Sequence, residues 1–368
     1  MENLWLMSAT TFPAASSPAA GILGQTGPVT VRRDAPHASA GLPRLTGVQI
    51  LATGSYVPPQ VVTNADLGSL GCDPEWIVQR TGIRERRQAA AGVATSDLAY
   101  EAAAQCLASA GASATDVDLI VLATMTPDSA TPSTACHVQR RLFSRAAAFD
   151  VSAACAGFMY ALVTGMQFVK TGTARRVLVI GSDVMTRAVD PADVKTYPLF
   201  GDGAGAVLLG AGESDQGLLA YTLGADGCGA DLLCTPAGGS REPLTAESIT
   251  AGRQYMQMQG KPVFKWAVKL LEETIREVLA AAGASPSEVS LVVLHQANRR
   301  ILDAAAQHLG IPPEKVIVNL DRYGNTSAGS IPLVLDELAH AGRLRRGELV
   351  LLSGFGAGLA WGTGVFRW

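Results

Sequence analysis

The sequence predicts an α/β protein built from two duplicated halves stacked in layers. Three observations carry that prediction. A stretch repeats at a fixed offset, helices alternate with strands, and the strand segments are apolar along their length.

The repeat comes first because it fixes the organisation. "LASAGASATDVDLIVLATMT", Leu107 to Thr126, aligns with "LAAAGASPSEVSLVVLHQAN", Leu279 to Asn298, and half of the twenty positions are identical. The same offset of 172 places "RVLVIGS", Arg176 to Ser182, on "ELVLLSG", Glu348 to Gly354. This divides the chain into an N-terminal half over 46–217 and a C-terminal half over 218–368. Residues 1–45 differ in kind. Met1 to Pro43 is rich in Ala, Ser, Thr, Gly and Pro without sustained periodicity, which reads as a disordered extension or a mis-assigned start codon. Glu2 stands where a signal peptide carries basic residues, so no secretory leader is expected.

Within the first half, Asp97 to Ala110 has helical character, with Ser96 as N-cap and Gly111 just past its end. "LIVLAT" then reads as a strand covered on both faces. In the second half, "FKWAVKLLEETIREVLAAAG" places Phe264, Val268, Leu271, Ile275, Val278, Leu279 and Ala282 on one helical stripe, ended by Gly283. "LVVLHQ" is the matching strand. Such alternation predicts parallel strands with helices on both faces, and sites beyond the carboxyl ends of the strands.

Composition narrows the function. The chain has 368 residues, 48% of them hydrophobic, which is ample for a large core, and a net charge of −3 that points to no nucleic acid or membrane surface. No window reaches ~18 uninterrupted apolar residues, so no membrane span is expected. The six cysteines are scattered, as for reduced thiols of a cytoplasmic enzyme rather than a disulfide framework. Cys228 and Cys234 lack nearby histidines, and no metal-ligand spacing is present.

Three segments can carry chemistry. In "DVSAACAGF", Asp150 to Phe158, Cys155 sits between the strand "AAAFDV" and a helix with Phe158, Leu162, Met166 and Val169 at helical spacing and Gly172 as the stop. A helix N-terminus favours negative charge, so the Cys155 thiolate is expected to form more easily. The alternative is a small buried cysteine filling a tight contact. In "LVVLHQANRRI", His295 ends a strand and Asn298 caps the next helix; a hydrogen-bonded core histidine is the bland reading. In "DRYGNTSAGSIP", Asn325 follows Gly324 in a turn, and a helix begins near Pro332 and ends at Gly342. Together, a thiolate, an imidazole and an amide donor make a coherent set for acyl chemistry.

Taken with "GDGAGAVLL" and "EWIVQRTGIRERR", the segments "DVSAACAGF", "HQAN" and "YGNTSAGS" resemble the β-ketoacyl-[acyl-carrier-protein] synthase III family of the thiolase fold. The likeness runs from about Thr46 to Trp368. It implies a layered αβαβα architecture and a Cys155–His295–Asn325 triad. Thiolases use a second cysteine near the C-terminal Gly-rich loop, and "GFGAGLAWG" has none. Elongating synthases use Cys-His-His, and position 325 is Asn. The resemblance further implies a decarboxylating condensation of an acyl thioester with malonyl-acyl-carrier-protein, without cofactor or metal, in a cytoplasmic homodimer. The N–H groups of Cys155 and Ala357 would form the oxyanion hole.

By the same resemblance, Trp76, Arg80, Asn298 and Gly260 would bind coenzyme A, and Lys265, Arg300 and Arg299 would dock the acyl carrier protein. The pattern departs at several positions. Val194, beside Lys195, replaces an adenine-stacking arginine, and Lys261 replaces an asparagine of the pantetheine contacts. Gln307 and His308 replace two docking lysines. Thr131 replaces a phenylalanine that, in many members, reaches from the partner subunit to close the acyl pocket. A primer larger than acetyl is therefore expected, unless Met125 or Met185 refills the space. Two other readings remain at this point: an acyltransferase or starter enzyme of specialised, polyketide-type metabolism, and a non-catalytic partner subunit.

Overall fold

A computed structural model describes residues 41–368, of which Leu42–Trp368 form one compact unit. Of the extension read over 1–45, residues 1–40 lie outside the described part, whereas Leu45 at its end is buried and pairs with Leu218, so it belongs to the fold.

The described residues form two five-stranded sheets and two small two-stranded ribbons. In the first large sheet the strands run Val48–Tyr56, Asp202–Ala211, Val177–Val184, Leu119–Ala123, Ala147–Val151. In the second they run Leu45–Thr46, Gly217–Gly224, Ala360–Arg367, Leu349–Gly356, Val289–Leu294. The two orders correspond strand for strand except at the ends. The offset of 172 carries Val177–Val184 onto Leu349–Gly356 without a shift.

The sheets are mixed, not all-parallel as the alternation predicts. Leu119–Ala123 is parallel to both its neighbours, and Val289–Leu294 is parallel to Leu349–Gly356. The other pairings in these sheets are antiparallel. The connections explain the difference. A parallel pair needs a helical crossover, whereas a short link reverses the chain. Only Ala357–Leu359 separates Leu349–Gly356 from Ala360–Arg367, so those two strands must run antiparallel.

Side-chain alternation along the strands builds the layers. Val121, Val179 and Val207 face a central core shared with Val293, Val350 and Leu352 of the second sheet. Two helices fill that core, Gly157–Lys170 and Ser330–His340, through Phe158, Leu162, Met166, Ile331, Val334 and Leu335. Ile120, Leu122, Leu178 and Ile180 point the other way, onto the helix Thr95–Ser109. On the far face of the second sheet, Gly260–Ala282 and Arg299–Leu309 cover Val292, Leu294 and Leu351. The result is helix, sheet, helix pair, sheet, helix. Each fully buried Leu, Ile, Val or Phe contributes about 1.5–3 kcal/mol relative to exposure, so these alternating rows hold the layers together.

Helix boundaries shift by a residue or two. The first helix starts at Thr95, not after Ser96, because Asp97 reaches back to accept from the Ala94 N–H at 2.7 Å. The helix expected near Pro332 begins at Ser330. Gly111, Gly172 and Gly283 end their helices at φ of 58°, 75° and 67°, the left-handed conformation that glycine adopts without a Cβ penalty.

Candidate active site

Cys155 lies where the strand Ala147–Val151 turns into the central helix Gly157–Lys170. The turn is tight. Ala154 sits at φ 47°, in the left-handed region, and a single helical turn over Ala154–Ala156 leads into the helix. Such a conformation costs a non-glycine residue roughly 1–2 kcal/mol, and it puts the sulfur at the helix start. Across from it, the strand Leu349–Gly356 ends against the same turn. A Cβ on Gly356 would stand 2.7 Å from the Cys155 nitrogen. That close approach brings Ala357 onto the cavity Cys155 lines.

The expected easy ionisation of Cys155 is not what the structure gives. Burial pushes its thiol up to about 12, and the nearby Asp183 carboxylate adds to the rise. Desolvation opposes the helix terminus in the resting state. The physical reason is that a bare thiolate in an apolar cavity loses its water before any partner has arrived.

His295 continues the strand Val289–Leu294. Its N–H donates to Ser353 O at 2.8 Å, which keeps it in the parallel ladder. The ring is buried, edge-on to Phe355 at 5.3 Å, with Nδ1 2.8 Å from the Ser330 hydroxyl. Burial holds its pKa down at about 3, so the imidazole is neutral. With Nδ1 engaged, Nε2 is the nitrogen left for the cavity.

Asn325 is pinned through its backbone. Its N–H donates to Leu199 O at 2.8 Å, and its carbonyl accepts from Gly201 N at 3.1 Å. Its Oδ1 accepts from Ser327 N at 2.8 Å, which fixes the amide plane and leaves Nδ2 without a protein acceptor among the described residues. The side chain is thereby poised as a donor.

All three side chains line one cavity of about 170 Å³. Gly260, Asn298 and Ala357 line it as well. The rest of the wall is apolar, with Met125, Met256 and Met258 among its residues. Met185 does not line the cavity but packs in the same cluster as these methionines.

Trp76 and Arg80 do not line this cavity. They lie on the helix Pro74–Thr81, where the Arg80 guanidinium carbon sits 5.7 Å from the centre of the half-exposed Trp76 ring. Asn298 ties them to the cavity mouth, since its Nδ2 donates to Arg80 O at 3.1 Å while its Oδ1 accepts from Arg300 N. Val194, Lys195 and Lys261 are exposed. Lys265 is exposed, Arg300 lies over the Phe264 ring at 5.5 Å, and Arg299 pairs with Asp303 at 2.7 Å. His308 is drawn to Glu272. Thr131 is exposed on the loop before the helix Thr134–Arg141 and lines no part of its own chain's cavity.

Several residues around the site are not among the candidates that the three sequence motifs offer. Asp183, fully buried at the end of its strand, accepts from the Met125, Thr126 and Ala328 N–H groups and from the Thr124 and Thr126 hydroxyls. Burial raises its pKa while these donors oppose the rise. The Ser327 hydroxyl faces both Cys155 and Asp183 without a hydrogen bond of regular geometry. Arg86 is buried with a pKa lowered to about 10 by desolvation; it donates to Val62 O, Asn64 Oδ1 and Pro198 O, bracing the Tyr197–Leu199 turn on which Asn325 docks.

Comparison with known proteins agrees with this geometry. Residues 149–227 match the family model described as 3-oxoacyl-[acyl-carrier-protein (ACP)] synthase III, and 279–368 match the model of its C-terminal region. The chain is 60% identical over 342 residues to a β-ketoacyl-[acyl-carrier-protein] synthase III of Rhodopirellula baltica, covering 88% of this chain and 99% of that one. A crystal structure of 3-oxoacyl-[acyl-carrier-protein] synthase III from Aquifex aeolicus superposes with a TM-score of 0.81 at 45% identity, over 88% and 100% of the two chains. The priming β-ketosynthase of the R1128 polyketide pathway gives the same TM-score at 34% identity, over 90% and 98%.

Proposed function

The chain belongs to the 3-oxoacyl-[acyl-carrier-protein] synthase III family, and from that premise we propose how its residues perform the reaction. It is a condensing enzyme of the acyltransferase type, and its reaction is the priming condensation of fatty acid biosynthesis. The specialised-metabolism reading is the weaker one, since identity to the polyketide priming synthase is 34% against 60% for the synthase III of Rhodopirellula baltica. The observation that carries the mechanism is the meeting of Cys155, His295 and Asn325, from both halves, on one cavity.

Cys155 Sγ attacks the carbonyl of an acyl thioester. The Cys155 and Ala357 N–H groups hold the oxyanion, and each such donor is worth ~2.7–4 kcal/mol of barrier. The intermediate collapses, the donor thiol leaves with the proton of Cys155, and the acyl group stays on sulfur. Because the resting thiol is protonated, the helix terminus acts on the charge that develops during attack rather than on a standing thiolate.

Malonyl-acyl-carrier-protein then enters. Its C–C bond to the carboxylate breaks, CO₂ leaves, and negative charge gathers on the thioester oxygen. His295 Nε2–H and Asn325 Nδ2–H donate to that oxygen. A neutral imidazole suits this role, and burial supplies it. The enolate carbon attacks the Cys155 thioester and releases a β-ketoacyl product. Each step runs on these side chains and the two substrates, with no cofactor or metal.

Trp76, Arg80, Gly260 and Asn298 are assigned to the donor's coenzyme A arm, supported by the Asn298–Arg80 link. Lys265, Arg299 and Arg300 are assigned to the acidic carrier protein, supported by their exposure on neighbouring helices. Arg299 spends part of its charge on Asp303. The protein is read as a homodimer in the cytoplasm, with Thr131 delivered to the partner's acyl pocket; among the described residues no helix is long and apolar enough to cross a membrane. The division at 217/218 is proposed as the join between halves, supported by the strand that starts at Gly217.

Intact-protein mass spectrometry after incubation with acyl-CoAs tests the reading. An acyl adduct on Cys155, lost in Cys155→Ala, together with CO₂ release from malonyl-acyl-carrier-protein, is the expected result. An adduct without CO₂ release would instead indicate simple acyl transfer.

A further inference from the structure

We propose that Ser330 is a positioning residue that sets the tautomer of His295 for the decarboxylation step. The inference rests on the catalytic reading above.

A neutral imidazole carries one N–H, so its two nitrogens have opposite roles. Which role falls to Nε2 depends on what Nδ1 meets. Here Nδ1 meets one group, the Ser330 hydroxyl at 2.8 Å. That hydroxyl is buried and stands at donating distance, 2.9 Å, from a second acceptor, Ser327 O. Ser330 has one proton for two acceptors. Given to Ser327 O, it forces the imidazole proton onto Nδ1 and leaves Nε2 bare toward the cavity. Given to Nδ1, it places the imidazole proton on Nε2, facing the cavity as a donor.

The surroundings favour the second arrangement. The Ser330 backbone N–H already donates to Ser327 O. The hydroxyl can therefore turn away without leaving that buried carbonyl unsatisfied. Nδ1 has no comparable reserve, because no backbone N–H reaches it among the described residues. Ser330 is itself fixed at the first position of the buried helix Ser330–His340, so the hydroxyl is held beside the ring.

The consequence lies in one half of the reaction. During decarboxylation the electron pair of the breaking C–C bond moves into the enolate, and its oxygen takes hydrogen bonds from Nε2–H and Asn325 Nδ2–H. No proton moves to or from His295. With the other tautomer, a lone pair would face the enolate oxygen and repel it. Formation of the acyl-enzyme makes no such demand on Nε2–H.

The test uses the full-length enzyme with ¹⁵N-labelled histidine, His295 being assigned through His295→Gln. The expected spectrum has Nδ1 as an unprotonated nitrogen and Nε2 as a protonated one; the reverse pattern overturns the proposal. In Ser330→Ala, acyl-adduct formation on Cys155 should stay within about twofold of wild type. Malonyl-acyl-carrier-protein decarboxylation should fall about 10- to 100-fold, less than the ~10²–10³ of losing an oxyanion donor outright. Ser330→Thr, which keeps the hydroxyl, should recover most of the rate. Wild-type decarboxylation in a folded Ser330→Ala protein overturns the inference. If Ser330→Ala does not fold, the wild-type spectrum alone decides. His295→Ala separates the two levels: full decarboxylation there sinks the site reading itself, whereas its loss there with none in Ser330→Ala sinks only the role of Ser330.

Discussion

Gly356 and Cys155 are in contact so close that no side chain fits between them: a Cβ on Gly356 would lie 2.7 Å from the Cys155 nitrogen and 3.0 Å from its Cβ. The turn that carries Cys155 and the end of the opposite strand are thereby locked together. Gly356→Ala forces the two apart, at a cost of ~1–3 kcal/mol for overpacking. The acylation rate of Cys155, followed by intact mass, should drop at least tenfold. Gly354→Ala meets its neighbours at 3.3 Å or more and should do less harm. Equal acylation rates in the two variants would refute the argument.

Asp183 organises the wall behind the sulfur. Its two oxygens accept five hydrogen bonds, all from donors. Asp183→Asn turns one oxygen into an NH₂ that faces a donor, at a cost of ~1–3 kcal/mol. Because Met125 and Ala328 lose their shared anchor, condensation should fall along with thermal stability. Unchanged melting temperature and turnover would exclude this role.

Acid should unfold the protein partly through His295. Its pKa is near 3 when folded, against an ordinary value of about 6.5 for a free histidine side chain. Above pH 6.5 both states are neutral at this residue and it contributes no slope. As pH falls from about 6.5 to 3, the unfolded chain takes up a proton the folded one refuses. Stability therefore declines by up to ~1.4 kcal/mol per pH unit from this group. Urea unfolding at pH 7 and pH 5 should differ by ~2 kcal/mol more in wild type than in His295→Gln.

Arg86 is a buried cation held by three oxygens, at 3.0 Å to Val62 O and 2.8 Å each to Asn64 Oδ1 and Pro198 O. Arg86→Met strands those acceptors and loosens the turn before Phe200. A loss on the order of 3 kcal/mol is expected in urea unfolding. Arg86→Lys should restore less than half, because an ammonium cannot fork to the same three sites.

The acyl cavity predicts primer choice. Three methionines in its wall can repack around different chains, and Thr131, proposed above to reach the partner's pocket, is not aromatic. A panel of acyl-CoA primers should show longer or branched chains used at least as well as acetyl. Thr131→Phe should shift preference toward acetyl. A wild-type enzyme that uses acetyl far better than every longer chain would contradict this.

Much of the fold was legible because its causes are local. Phe158, Leu162, Met166 and Val169 repeat at helical spacing and are all buried. Leu119–Ala123 is uniformly apolar and is covered on both faces. Cys155, His295 and Asn325 stood out because each sits in a short motif at a strand or loop end. Strand direction was misjudged where a connection held no helix, as at Ala357–Leu359. The ionisation of Cys155 was misjudged because a helix start is visible in sequence, whereas the depth of the cavity around it is not.

Sequence by itself determined most of the elements, the duplication and the three candidate side chains, because periodicity, capping and motif spacing act over a few residues. Only the tertiary structure decided what those side chains touch. Ser330 beside His295, Asp183 beneath Met125 and Ala328, and Arg86 under Pro198 all join residues that are 35 or more positions apart. Burial and hydrogen bonding, which set the protonation of Cys155 and His295, come into being when the two sheets close on the central helices.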